Sequence, residues 1–193
     1  HEFQLASEEG RGRGMRNQQG FEEERGWTKP QPSWIKVNTD AALNSNNNKA
    51  GWGVVTRNWK GELVGSWAIP TRSCSNAPQE EALALRRAMV IARQMGWRRV
   101  VFESDCKQVV DRLNTKIEEA NMATILLDIR NLAKEFYECC FSFTRRRNNS
   151  VSHQVAKFAV SLIDIAEWKR DFPVWLLDLV HADSVEQLLE VCT

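Results

Sequence analysis

The chain has 193 residues, 42% of them hydrophobic, with 26 basic and 25 acidic side chains and a formal net charge of +1. That balance fits one folded domain with extensions and rules out partner recruitment by overall charge, so any nucleic-acid binding must come from a local basic patch. No apolar run reaches the roughly 18 residues a membrane helix needs, and the first residues are polar and charged, unlike a secretory signal. The expectation is an intracellular monomer, nuclear or cytoplasmic, with no membrane contact. Five cysteines (Cys74, Cys106, Cys139, Cys140, Cys192) include one adjacent pair and no zinc-ligand spacing, which reads as reduced thiols.

Residues 1–32 are rich in Gly, Glu, Arg and Gln with scattered apolar residues, and read as a disordered segment. Arg11-Gly12-Arg13-Gly14 within it reads as solvated linker. Pro30 and Pro32 then punctuate the start of a domain over 33–168. Trp34 to Asp40 alternates apolar and polar residues and stops on an acid, a strand signal ending where chemistry is well placed. Ala50–Arg57 and Glu62–Ile69 read as further strands, joined by a turn in which Gly61 takes positive φ. Gly51 and Gly53 share a face, which invites either close backbone approach or a bulge.

A loop from Pro70 to Pro78 leads into a strong helix, Gln79 to Met95, stopped by Gly96 and capped by Ser75 or Asn76. Arg98–Ser104 reads as a buried central strand running into Asp105. A short helix (Cys106–Leu113), a loop (Thr115–Ala120), a long helix (Met122–Phe136), a strand (Cys140–Thr144) and a third long helix (Val151–Trp168) follow. Residues 169–193 form a helical tail whose last amphipathic piece is Ser184–Val191. The order β-β-β-α-β-α-α-β-α predicts an α/β fold: a five-stranded mixed sheet with helices packed on it.

Three acids fall at equivalent places. Asp40 ends the first strand, Glu81 lies in the first turns of the first helix, and Asp105 ends the fourth strand. If those two strands are neighbours, the three carboxylates converge on one sheet edge. Charges about 4 Å apart repel by several kcal/mol at intermediate dielectric, so the cluster implies bound cations. An all-oxygen ligand set suits Mg²⁺ or Mn²⁺.

Lys36-Val37-Asn38-Thr39-Asp40-Ala41-Ala42, Ala50-Gly51-Trp52-Gly53-Val54-Val55-Thr56-Arg57, Glu80-Glu81-Ala82-Leu83-Ala84-Leu85, Val101-Phe102-Glu103-Ser104-Asp105, and Arg146 with Asn149, His153 and Ala156 closely resemble the ribonuclease H family. The match is to the plant reverse-transcriptase-like, retroelement-derived branch. The resemblance implies a ribonuclease H-like fold and metal-dependent hydrolysis of the RNA strand of RNA–DNA hybrids with two ions. It carries the helix acid onto Glu81 rather than Glu80, and the strand acid onto Asp105 rather than the deeper Glu103. Asp40, Glu81 and Asp105 are then the metal ligands and, with His153, the catalytic set. Ala41 replaces the usual Gly, and His153 stands where family enzymes carry a fourth carboxylate. As a ligand, His153 favours Mn²⁺ over Mg²⁺; general base or phosphate contact are its other roles. Ala41, Asn44, Asn76, Arg86, Arg146 and Asn149 are expected to contact nucleic acid. A non-catalytic nucleic-acid-binding remnant of the same fold is the alternative. A 3′ exonuclease ranks lower, because Ala42 occupies the place of that class's second acid.

Overall fold

The computed structural model describes residues 26–44, 46–73, 76–115 and 122–189, with side chains as far as Asp183. Arg11 to Gly14, Cys74, Ser75, most of the Thr115–Ala120 loop, the side chains of Ser184–Val191, and Cys192 lie outside the described residues. Three long strands open the fold: β1 (Ile35–Asn44), β2 (Lys49–Asn58) and β3 (Leu63–Arg72). Then come α1 (Ala77–Gln94), β4 (Arg99–Ser104), α2 (Lys107–Thr115), α3 (Ala123–Ala133) and β5 (Glu138–Phe143). A 3₁₀ turn at Arg146–Asn149 leads into α4 (Ser150–Val160), β6 (Ala166–Trp168) and α5 (Val174–Leu189).

Among the described residues the sheet has six strands, where five were expected, in the order β5-β4-β1-β2-β3-β6. The extra strand comes from the expected third helix, which stops at Val160 instead of reaching Trp168. Past Ser161 the helical apolar pattern breaks: Ile163 is 91% exposed. The chain then turns back so that Ala166–Trp168 pairs antiparallel with Ser66–Ala68 and covers part of the β3 edge. Pro70 falls inside β3 rather than starting a loop, which a proline tolerates because β6 covers only Ser66–Ala68.

β1 pairs antiparallel with β2 and parallel with β4. α1, α2 and α3 cover one face, around Val37, Val54, Leu85, Met89, Phe102 and Leu126. α4 and α5 cover part of the other, around Val55, Ala68, Val155, Leu176 and Val180. α1 begins at a capping box: the Asn76 side chain accepts from the Gln79 N–H while the Gln79 side chain accepts from the Asn76 N–H. Asn76 is the cap, and its Oδ1 is committed to that role.

Residues 26–32 were expected within a disordered stretch, but they are seated on the sheet. Trp27 is 2% exposed, stacks on the buried Arg57 guanidinium at 4.0 Å, and donates its indole N–H to Asn38 Oδ1 at 2.9 Å. Arg57 pairs in turn with Asp183 of α5 at 2.7 Å. β2 therefore holds both the lead-in segment and the last helix through one buried cation.

Gly51 and Gly53 face α4, and close approach is the reason for both. A Cβ on Gly51 would meet the Val160 N at 2.6 Å; one on Gly53 would meet the Ala156 N at 2.5 Å and collide with the Ser152 carbonyl. These neighbours are backbone and cannot rotate away. Gly53→Ala is expected to destabilise the protein by about 3 kcal/mol, the upper end of overpacking costs. Urea unfolding of wild type and variant would check it, and an unchanged midpoint would refute the tight α4 seat.

Candidate active site and metal centre

The site is set by where β4 stops. β1 and β4 run parallel in the register Thr39↔Ser104, and Ser104 is the last residue of β4. Asp40 does not end its strand, as expected from the sequence, because pairing with β2 carries β1 on to Asn44. It stands instead at the point where β1 loses its β4 neighbour, beside Asp105. Glu81, in the first turns of α1, reaches the same edge. One carboxylate oxygen from each of Asp40, Glu81 and Asp105 lies within 4.8 Å of the others. The Ala41 N–H donates to Glu81 Oε1 at 3.3 Å, while Glu81 Oε2 is buried with no hydrogen-bond partner.

The two neighbouring acids are otherwise engaged. Glu80 is buried and accepts from the Trp52 indole at 3.0 Å. Glu103 pairs with Lys36 at 2.6 Å and accepts from Asn38 at 3.0 Å.

Burial pushes the Asp40 carboxyl up to about 8, with the Asp105 charge adding to it. Burial, then the charges of Asp40 and Asp105, push Glu81 up to about 9. Asp40 and Glu81 so placed hold protons at neutral pH unless a cation replaces them. The all-oxygen donor set and the orphaned Glu81 oxygen fit a hard divalent ion.

His153, in the first turn of α4, lies with Nδ1 2.8 Å from Asp40 Oδ2. The Arg146 guanidinium is 3.3 Å from both ring nitrogens and 3.7 Å from Asp105 Oδ2. Burial first, then the Arg146 and Lys157 charges, hold the imidazole below its ordinary pKa, which favours a neutral ring. Among the described residues the potential ligand cluster is the three carboxylates, with His153 bound to one of them.

The remaining expected residues divide. Ala41 and Arg146 are at the site. Asn44 ends β1, with its Oδ1 accepting from the Asn46 N–H at 3.1 Å. Arg86 faces α3 and pairs with Asp128 at 3.1 Å; Arg93 and Arg99 pair likewise with Glu135 and Glu138. These arginines are spent on neighbouring acids rather than gathered at the carboxylates. Asn149 is 1% exposed, so it is not open to a nucleic acid. Its amide donates to the Thr39 carbonyl at 2.9 Å and to Asp105 Oδ1 at 3.4 Å, and its carbonyl accepts from Ser152 Oγ at 2.7 Å and from Asn38 at 3.2 Å. Sequence reasoning missed Asn38 and Lys157. The signals were there: Asn38 shares the Asp40 face by strand period, and Lys157 lies one helical turn beyond His153.

A six-stranded mixed sheet with carboxylates at the β1/β4 edge defines a ribonuclease H-like α/β domain. RNase H1 from the archaeon Halobacterium salinarum superposes with a TM-score of 0.61 at 20% identity, covering 65% of this chain and 96% of that one. LC11-RNase H1, in complex with an RNA/DNA hybrid, gives 0.59 at 20% identity over 65% and 96%. The foamy viral protease-reverse transcriptase, also with a hybrid, gives 0.54 at 15% identity over 69% of this chain and 21% of that one. An Arabidopsis thaliana protein bearing the name ribonuclease H protein is 28% identical over 138 residues, which is 71% of this chain and 22% of that relative's length. The model of the reverse transcriptase-like family matches residues 38–159, and the chain belongs to that family.

The raised acids set the sign of a pH dependence. The folded protein keeps protons on Asp40 and Glu81 that the unfolded chain releases near 3.8 and 4.5. Without metal, their contribution to stability is therefore full below about pH 4 and is lost as pH rises towards about 8 to 9. In EDTA, Asp40→Asn is expected to raise the melting temperature at pH 8, by about 2–4 °C for each kcal/mol of repulsion relieved, and to change it little at pH 4. Melting curves at the two pH values check this; equal shifts at both would contradict it.

Proposed function

We propose that this domain hydrolyses the RNA strand of RNA–DNA hybrids as a metal-dependent endonuclease. The observation that carries the reading is the convergence of Asp40, Glu81 and Asp105 within 4.8 Å at the β1/β4 edge of a ribonuclease H-like sheet. Family membership and the hybrid-bound fold neighbours support it.

Two Mg²⁺ or Mn²⁺ ions, when bound, would activate a water and stabilise the leaving 3′ oxygen. Asp40, Glu81 and Asp105 would hold them. In the reaction the water oxygen bonds to phosphorus, the P–O3′ bond breaks, and the 3′ oxygen leaves to take up a proton. His153 orients Asp40 through the 2.8 Å contact and, as a neutral ring, takes up the proton released by the water. Arg146, exposed beside His153 and Asp105, meets the phosphate backbone. The backbone from Ala41 to Asn44 borders the same edge and is suited to read the 2′-OH that separates RNA from DNA. Phosphate neutralisation makes hybrid affinity fall with salt.

The test is cleavage of an end-labelled hybrid with Mg²⁺ and with Mn²⁺. Wild type is expected to cut the RNA strand, and Asp40→Asn to abolish cutting. His153→Ala is expected to lower kcat by roughly 10²-fold, the scale for loss of a general acid or base. No cutting in either metal, with salt-sensitive hybrid binding retained, would replace the enzyme reading by a non-catalytic binding module. Unchanged rates in His153→Ala would remove the role given to that residue.

A further inference from the structure

A run of hydrogen bonds, buried up to its last and part-buried link, joins the segment before β1 to a carboxylate of the Asp40, Glu81 and Asp105 cluster. The Trp27 indole N–H donates to Asn38 Oδ1 at 2.9 Å, which orients the Asn38 amide with its NH₂ towards the sheet interior. That NH₂ donates to Glu103 Oε2 at 3.0 Å and to Asn149 Oδ1 at 3.2 Å. Asn149 Oδ1, also taken by Ser152 Oγ at 2.7 Å, is thereby fixed as the acceptor end. Its NH₂ has to face the other way, onto the Thr39 carbonyl and Asp105 Oδ1. Trp27, Asn38 and Asn149 are 2%, 1% and 1% exposed, so no solvent competes for these groups.

An amide has one acceptor end and one donor end, so a neighbour that fixes one end dictates the other. Two amides in series pass that choice along. The donor at the head of the series is Trp27, held in place by its stack on Arg57. The stack would survive loss of the N–H, but the buried Asn38 Oδ1 would lose its donor and the chain of contacts its anchor at that end.

We infer that Trp27 is a remote positioning residue for Asp105, so that the segment before β1 belongs to the working metal site. The inference rests on the proposed role of Asp105 as a metal ligand. It touches neither substrate nor metal, and its effect should be smaller than the roughly 10- to 100-fold loss of metal affinity typical when a direct partner of a ligand is removed.

The experiment uses the full chain and Trp27→Phe, which keeps a ring over Arg57 and deletes the N–H. Should that variant fail to fold, benzothienylalanine at position 27 keeps the bicyclic shape and lacks only the donor. In metal-free ¹H–¹⁵N spectra the Asn149 side-chain NH₂ and Asp105 amide signals are expected to move. Mn²⁺ titration followed by EPR is expected to show about three- to tenfold weaker binding, with the KM for hybrid unchanged. In an Asn149→Ala background, Trp27→Phe should have no further effect on Mn²⁺ binding, an outcome that general loosening of the fold would not produce. Unmoved Asn149 and Asp105 signals, or an equal effect of Trp27→Phe in both backgrounds, would overturn the inference. If wild type cuts no hybrid yet the signals move and Mn²⁺ binding weakens as expected, the positioning role stands and the ribonuclease reading falls.

Discussion

The parallel pairing of β1 with β4 is the contact on which the site depends. It puts Asp40 and Asp105 side by side at one edge, because β4 ends at Ser104 opposite Thr39. A slip of one residue would send one of the two acids to the opposite face of the sheet. Polar groups pin the register from within. Asn38 and Glu103 are directly paired across the two strands and hydrogen-bonded, and Lys36 closes a buried ion pair on the same glutamate. Apolar residues of similar size would be at least as stabilising in such a place. What the polar set contributes is a demand that only one register satisfies.

The second constraint is the distance between α4 and the sheet. Gly51 and Gly53 let the helix backbone settle directly onto β2. That seat brings Asn149 and His153, at the head of α4, within hydrogen-bonding reach of Asp105 and Asp40. Larger residues in β2 would lift the helix and open the site from behind. α5 is tied to the same strand through Asp183 and Arg57, so the last helix steadies the surface on which α4 rests.

The carboxylate cluster works against the stability of the fold that carries it. Burial and mutual repulsion raise Asp40 and Glu81 far above ordinary acids. Arg146 and Lys157 lower both the Asp40 and the His153 proton affinities, easing the first and keeping the ring neutral. A bound cation would relieve the repulsion at its source. Strain of this kind, concentrated where chemistry is proposed and offset by the packing around it, is the usual form of the stability–function trade-off.

What the sequence determined alone was periodic or local. The alternation from Trp34 to Asp40 placed the polar face of β1, the paired glycines left close approach or a bulge, and Ser75 or Asn76 with Gly96 bounded the first helix. The family resemblance, not periodicity, separated Glu81 from Glu80, while strand phase grouped Asp105 with Glu103. The elements that tertiary structure decided all depend on residues far apart in the chain. β1 runs past Asp40 because β2 is there to pair with it, and β6 exists because β3 has a free edge. Arg86 turns to Asp128, Asn149 turns inward to Asp105, and Trp27 joins the core because Arg57 and Asn38 receive it. Local propensity records what a segment can form. Which partner satisfies a buried cation, amide or indole is settled only when the long-range contacts close.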